Sequence, residues 1–467
     1  MASSDWEPVI GLEIHVQLKT RTKMFCRCET GFGAEPNTRT CPVCLAHPGA
    51  LPVANRTAVE WTIKLGLALG SEIAERAVFA RKNYFYPDNP KGYQISQYDQ
   101  PLCVGGRLAV PGPEPFEIGF VRAHLEEDAA KTVHVGGGTG RKIGAERSLI
   151  DFNRGGTPLV EIVTQPDIGS AEQAERFLQL LRQTIVALGI SDARMEEGTL
   201  RCDANVSVRP AGSDELRTRW ELKNMNSFRF IGRGIDAAVR RQVELYQSGG
   251  TVEQHTYDYE PNTDTLTPHR SKEEADDYRY FPEPDLVPLE PEPPLVERLH
   301  AELPELPADL IRERAEALGV EDAWALVTTD RDPAYTGLLA GGVSEREAFN
   351  FAMNQPIPAG ANLAELARVA KATKDLTREA LSAAVAASAD DGFRADEYLT
   401  QTSVSDASEL EPLVEAVLAA NPGQVEAYRG GKDGLLGFFV GQVMKETGGK
   451  ANPKVVNDLL REKLAAR

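Results

Sequence analysis

Near the N-terminus, Leu12, Ile14, Val16 and Leu18 interleave with Glu13, His15 and Gln17. A hydrophobic period of two predicts a half-buried β-strand. Side chains at i and i+2 share a face of a strand, so Glu13 and His15 project together from its polar side. The pattern recurs along the first half of the chain. Ile118 to Asp128 predicts a strand ending in His124-Leu-Glu-Glu-Asp128. Two short strands within Leu149 to Val163 flank Arg154-Gly-Gly-Thr-Pro158, with Asp151 and Asn153 on one face. From Thr199, Leu200, Cys202, Ala204, Val206 and Val208 alternate with Arg201, Asp203, Asn205 and Ser207. Glu221 and Lys223 then oppose Trp220 and Leu222. The glycine-rich stretch at 136–140 has neither nucleotide-binding spacing and predicts a hairpin loop.

Helical periodicity lies between these strands. Asn55 is placed to cap a helix with Ala58, Trp61, Leu65 and Leu69 on its apolar side and Gly70 as its stop. Ser170 and Gln173 form a capping box before Ala174, Phe177, Leu181, Ile185 and Leu188. The proline-rich run from Phe281 to Pro294 predicts a linker. Beyond it the periodicity is helical throughout, as in Leu310 to Leu318 and Leu363 to Leu376. The expected fold is therefore α+β. A mixed or antiparallel β-sheet cradle with packed helices (1–294) is followed by an all-helical domain (295–404) and a small helical tail domain (405–467).

The 467 residues, 42% of them apolar, suffice for two or three domains with ordinary cores. A net charge of −19 argues against non-specific coating of nucleic acid. The segment 432–467 runs the other way, with 7 Lys/Arg against 4 Asp/Glu. That tip fits either a local RNA contact or a solvated helical face. No apolar run is long enough to span a membrane, and the first residues carry neither a basic start nor an apolar core. A cytoplasmic protein with reduced cysteines is expected.

Three groups of residues carry candidate chemistry. Cys26, Cys28, Cys41 and Cys44 form two close pairs that can converge on one tetrahedral Zn²⁺, with His47 near enough to substitute; four reduced thiols are the alternative. The stretch from Arg81 to Pro101 reads as a loop dense in cations, aromatics and amides, a mixture suited to nucleotides or nucleic-acid ends. Finally, four strands each place acids on one face. Together they predict a polar cradle whose like charges require a cation or raised pKa values.

Several long strings resemble one family. They are Val9-Ile-Gly-Leu-Glu-Ile-His15, Arg81-Lys-Asn-Tyr-Phe-Tyr-Pro-Asp88, Asp151-Phe-Asn-Arg-Gly-Gly-Thr-Pro-Leu-Val-Glu-Ile162, Arg201-Cys-Asp-Ala-Asn205, Glu221-Leu-Lys-Asn224 and Asp277-Tyr-Arg-Tyr-Phe-Pro-Glu-Pro-Asp285. Leu435 to Met444 and Ala451-Asn-Pro453 continue the likeness in the tail. The chain resembles the B subunits of aspartyl/glutamyl-tRNA(Asn/Gln) amidotransferases, the GatB/GatE family. The resemblance implies a heterotrimer with an amidase partner and a small third partner. The B subunit would use ATP and Mg²⁺ to phosphorylate the side-chain carboxylate of misacylated Glu-tRNA(Gln) or Asp-tRNA(Asn). Ammonia released from glutamine by the amidase partner would displace the phosphate.

On that resemblance Glu13, His15, Glu127, Asp203 and Glu221 are the catalytic, Mg²⁺-binding positions. Alternation along the strands supports all of these except Glu127, which only the resemblance favours over Glu126. Lys82, Arg154, Arg201 and Lys223 are candidate ATP-phosphate contacts. The four cysteines fit the zinc-bearing version of the family, in a structural role. A non-catalytic tRNA-binding scaffold is the competing function.

Overall fold

The computed structural model describes residues 5–136, 144–271, 278–402 and 407–465. The first strand, β1 (Trp6–Gln17), is the spine of a ten-stranded sheet. The other strands are β2 (Glu72–Ile73), β3 (Ala80–Asn83), β4 (Tyr93–Ser96), β5 (Cys103–Val104), β6 (Arg107–Val110), β7 (Phe116–Glu127), β8 (Lys131–Val135), β9 (Arg147–Asp151), β10 (Pro158–Thr164), β11 (Leu200–Pro210), β12 (Trp220–Lys223), β13 (His255–Glu260), β14 (Thr265–Ser271) and β15 (Phe281–Pro282). The large sheet runs β14-β13-β12-β11-β1-β10-β7-β5-β2, with β6 on β7. Its pairings are antiparallel except for parallel β12 and β13. The domain is thus a mixed sheet in an α+β fold, as alternation predicted.

The buried face of the sheet is the apolar half of that alternation. Ile10, Leu12, Ile14 and Val16 of β1, with Leu200, Cys202, Ala204 and Val206 of β11, are at most 3% exposed. Two helices, α2 (Ala171–Ala187) and α3 (Phe228–Gln247), supply the core beside them. Phe177 of α2 meets Phe120 of β7 at 6.1 Å between ring centroids, and Gln242 of α3 donates to the Val206 carbonyl. Both expected caps form. The Ser170 hydroxyl accepts from the Gln173 amide, and Asn55 accepts from the amides of Thr57 and Ala58 at the start of α1 (Arg56–Ala68).

Two expectations change. The 81–101 stretch is not a loop, because β3 and β4 form a hairpin within it that joins β15 in a second, three-stranded sheet. The run from Phe281 is consequently not a free linker. Pro282 sits in edge strand β15, where a missing N–H costs no ladder bond, and buried Glu283 takes a bidentate pair from Arg81.

The glycine-rich turn lies outside the described residues from 137 onward, but β8 and β9 on either side of it pair antiparallel. Residue 405, where the tail domain was set to begin, and Asp277 of the family-like string also lie outside the described residues.

The chain divides into compact units at 1–313 and 314–467, so the first unit extends past the expected boundary at 294. The cause is a helix after the prolines, α4 (Pro293–Ala301), which docks on α1 through buried Leu299 and the pairs Arg298–Glu60 and Lys64–Glu302. The second unit is helical and holds two separate cores, one from Leu318 to Ala395 and one from Leu410 to Leu464. Among the described residues, no helix is long and apolar enough to cross a membrane.

Candidate active site

Strand register assembles the cradle. His15 lies opposite Arg201 on one side and Glu161 on the other, and Glu161 lies opposite His124. One row across four strands therefore reads Arg201, His15, Glu161, His124. The next reads Asp203, Glu13, Val163, Arg122. All of these residues but Arg201 floor a cavity of about 620 Å³ lined also by Lys82, Tyr98, Arg219, Glu221, Lys223, Tyr278 and Tyr280. Four expected site residues, Glu13, His15, Asp203 and Glu221, share this one concave face.

They do not share one cation position. Among the described residues, the acid and imidazole donors close enough to hold a single ion are His15, Glu126 and Glu161, whose ligand atoms all lie within 4.8 Å of one another. His15 Nε2 is 3.4 Å from Glu161 Oε2, and His124 Nε2 is 3.4 Å from Glu126 Oε1. Arg122 Nε donates to His124 Nδ1, which leaves Nε2–H of that ring to face the two carboxylates. Ser96 Oγ and Gln94 Nε2 donate to Glu126 from the β4 side, at 2.6 and 3.0 Å.

Burial works against charge in every member of this group. Even so, Glu161 stays well below the usual carboxylate range because His124, His15 and Lys82 surround it. Glu126 is lowered too: burial and the Glu161 charge push it up, but His124 and Lys82 outweigh them. The His15 imidazole is shifted up, since burial is overcome by its hydrogen bond to Glu161. Burial likewise penalises the Lys82 ammonium, and Glu126 and the neighbouring acids raise it overall.

The second group lies further along the same face. Lys223 Nζ sits 2.5 Å from Asp203 Oδ2 and 3.1 Å from Glu221 Oε1. Thr256 donates to the other Glu221 oxygen, and Asn205 to Glu13. The expectation that crowded carboxylates must recruit a cation is therefore only partly met, because the chain supplies an ammonium of its own. Lys82 and Lys223 line the cavity, but Arg154 and Arg201 do not point to it as free cations. Arg154 donates to the carbonyls of Ala129 and Ala130, and both arginines pair with buried Asp128. Asp128 also accepts from Gln17, so it ties the end of β7 to β1 and β11.

Glu127 is separated from the others by the same alternation that gathers them. Arg122, His124 and Glu126 face the cradle, and Glu127 turns away. Its carboxylate pairs with Lys91 and accepts from the Ile95 amide. It lines a second cavity of about 260 Å³ beside Cys26, Cys44, His47 and Tyr93. Cys26, Cys28, Cys41 and Cys44 converge so that they could hold a metal ion; His47 is outside that group. Cys44 is drawn toward the thiolate by its hydrogen bond with Cys26, helped by the buried ammonium of Lys23 at 3.6 Å. Gly156, with φ +86°, lets the Arg154-Gly-Gly turn pass between Lys23, Cys44 and Glu127.

Glu161 is a member of this cluster that sequence reading missed, and Glu126 is the alternative that the family resemblance set below Glu127. Glu161 is the single charge in Pro-Leu-Val-Glu-Ile-Val-Thr, a run apolar enough to read as a wholly buried strand. Counting the period of two from His124 would have chosen Glu126.

Comparison with known proteins adds to this geometry. The model of the GatB/GatE catalytic domain matches residues 8–297, and that of the GatB domain matches residues 350–464. The chain is 47% identical over 485 residues to the B subunit of the aspartyl/glutamyl-tRNA(Asn/Gln) amidotransferase of Syntrophotalea carbinolica, covering 99% of each chain. It is 48% identical to the protein of that name from Anaeromyxobacter dehalogenans, over 99% of this chain and 100% of the relative. The namesake from Moorella thermoacetica is 45% identical, over 98% of this chain and all of the relative.

Proposed function

The chain belongs to the GatB/GatE family, as a B subunit of tRNA-dependent amidotransferases, and from that premise we propose that its cradle is where the side-chain carboxylate of a misacylated Glu-tRNA(Gln) or Asp-tRNA(Asn) is phosphorylated by ATP and then amidated. The observation that carries this reading is one cavity lined by His15 and Glu161, which form an acid–imidazole cluster with buried Glu126, beside two cations, Lys82 and Lys223.

A carboxylate is a poor electrophile, and phosphorylation supplies a leaving group. The obstacle is charge, since an anionic substrate must approach an anionic phosphate. Oxygen and imidazole donors suit Mg²⁺, and His15, Glu126 and Glu161 would hold it, with Glu13, Asp203 and Glu221 as a second acidic set. Bound there, Mg²⁺ would neutralise phosphate charge. Lys82 and Lys223 would meet phosphate oxygens from the protein side, and the buried walls would strengthen those contacts. Asp128, holding Arg154 and Arg201, would fix the spacing of β7, β1 and β11 rather than touch substrate.

Ammonia is best assigned to an amidase partner, with a small third partner completing a heterotrimer. Zn²⁺ suits the four thiols in a closed structural site, which leaves no coordination position for chemistry. A transamidation assay with the partners present, offering Glu-tRNA(Gln) and Asp-tRNA(Asn) separately, tests the reading. ATP hydrolysis should depend on the charged tRNA. Amide formation at full rate without ATP would remove the cradle's role and leave the chain as a tRNA-binding scaffold.

A further inference from the structure

Three tyrosines form a wall of the cradle cavity that the charged residues do not explain. Tyr98 and Tyr280 stack face to face, with centroids 4.3 Å apart and planes 9° from parallel. Tyr278 meets Tyr280 edge-on at 6.2 Å. All three line the cavity that holds the carboxylates. Tyr98 remains 42% exposed although Tyr280 stacks on its ring.

The backbone behind the wall is held in an uncommon shape. Arg279, between the two tyrosines of the 278–280 segment, has φ +46°, a conformation that non-glycine residues rarely adopt. The surroundings impose it. Asn83 Nδ2 donates to the carbonyls of both Tyr278 and Arg279, at 3.1 and 2.8 Å, and β15 then pairs with β3. Glu283, clamped by Arg81, anchors the segment beyond.

Lys82 links the wall to the chemistry. Its ammonium lies 4.9 Å from the Tyr278 ring centroid, and it feels the charges of Glu126 and Glu161. The cavity therefore joins an aromatic wall and an acid–imidazole cluster through a half-buried cation that acts on both. Those are the groups that would meet an adenosine carrying phosphates or an ester: a flat base, an anionic or polar linkage, and a reacting end. Tyr280 is pushed up to about 12 by burial and nearby acids, so it stays a neutral phenol in the stack.

We propose that Tyr98, backed by Tyr280 and Tyr278, is a stacking platform for an adenine ring. This rests on the function proposed above, and two reactants there carry that ring: ATP, and the 3′-terminal adenosine of the aminoacyl-tRNA. The platform positions one of them so that its reacting end reaches past Lys82. Base–aromatic stacking contributes about 1–3 kcal/mol per base, which corresponds to a change of about 5- to 150-fold in affinity.

The test uses the assembled amidotransferase complex and the variants Tyr98→Ala and Tyr98→Phe. Dissociation constants are measured for a non-hydrolysable ATP analogue and for a short acceptor-stem RNA ending in adenosine, with Mn²⁺ affinity measured alongside. If ATP is the source, Tyr98→Ala weakens the ATP analogue about tenfold or more, and Tyr98→Phe stays within about twofold of the parent. If the tRNA end is the source, the same split appears with the RNA instead. Unchanged affinity for both ligands in Tyr98→Ala overturns the platform, and so does an equal loss of Mn²⁺ binding, which signals a collapsed wall. A parent complex that binds neither ligand in the cradle refutes the proposed function itself, a distinguishable failure.

Discussion

Glu126 and Glu127 are neighbours in sequence that turn to opposite sides of β7, and the cradle reading requires the first to bind metal. In Glu126→Gln the side chain keeps its length and loses its charge. Its carboxylate is 2% exposed and already accepts from Ser96 and Gln94. The new amide nitrogen must therefore face one of those donors or face the site, and neither arrangement restores an anionic oxygen beside His15 and Glu161. Loss of a partner one layer outside a metal site costs about 10–100-fold in affinity. Loss of a ligand itself should meet or exceed the upper figure, about 100-fold, or roughly 2.8 kcal/mol. Titration of the assembled complex with Mg²⁺ in a calorimeter, or with Mn²⁺ by electron paramagnetic resonance, reads this directly without catalysis. Glu127→Gln should leave the same constant within about twofold, because its carboxylate faces Lys91 and the other cavity. That variant should instead lower thermal stability, since it strands a largely buried Lys91 ammonium. A metal constant that collapses in Glu127→Gln and survives in Glu126→Gln would refute the assignment from alternation.

Other outcomes follow from the same geometry. Metal analysis of protein purified without chelator should find about one Zn²⁺ per chain, and Cys41→Ser should lower both that content and the melting temperature. Asp128 is held below the usual carboxylate range, since Arg201 and Arg154 outweigh its burial. Its contribution is therefore present above the unfolded-state value of about 3.9 and lost as pH falls through the folded one. Asp128→Asn should lower the melting temperature by roughly 1–3 °C at pH 7, for about 1–2 kcal/mol after discounting the half-exposed arginines, and by less in acid; equal losses at pH 7 and pH 3 would contradict this. In the tail, a deletion would strip Val443, Leu459 and Leu460 from the core they share with Leu410, so charge reversal is the cleaner probe. Lys450→Glu with Lys454→Glu, both exposed, should weaken tRNA binding and flatten its salt dependence by about two if both meet phosphates. An unchanged affinity would make the tail a solvated helical module, as the pairing of Lys463 with Glu411 and Glu415 already does for one of its cations.

Much of the sheet was legible because each strand has one wet face. In β1 and β11 every second residue is apolar, and antiparallel pairing sets Glu13 directly opposite Asp203. Period alone thus put both on one side before any contact was known. The signal failed where both faces are covered. In β10 only Glu161 interrupts the apolar run, and in β7 the stretch from Ala123 to Glu127 is buried on both sides. There, two adjacent glutamates gave alternation no polar–apolar contrast to read, although parity with His124 still separates them. The 81–101 segment misled for a different reason. Its strands are only four residues each in a three-stranded sheet, held by distant partners such as β15 and Glu283, and long-range pairing leaves no periodic trace in so few residues.

The counter-charge in the cradle changes what its acids imply. Carboxylates on four strands suggested a face whose like charges require a cation or raised pKa values. The face instead alternates acids with bases: Glu13, Glu126, Glu161, Asp203 and Glu221 are answered by Lys82, Arg122, Arg219 and Lys223. A strongly negative bowl would repel both a nucleoside triphosphate and an aminoacyl-tRNA acceptor end, whereas a nearly balanced one admits them and still offers acidic positions for a divalent cation. The two ends are balanced differently. At one, Lys223 lies within hydrogen-bonding reach of Asp203 and Glu221; at the other, His15, Glu126 and Glu161 face Lys82, whose charge acts on them across a longer distance. A metal ion arriving at the first end must compete with a covalently attached ammonium. At the second it meets donors already gathered within 4.8 Å of one another. The geometry therefore orders the two ends by their readiness to take a cation, with the His15 cluster first.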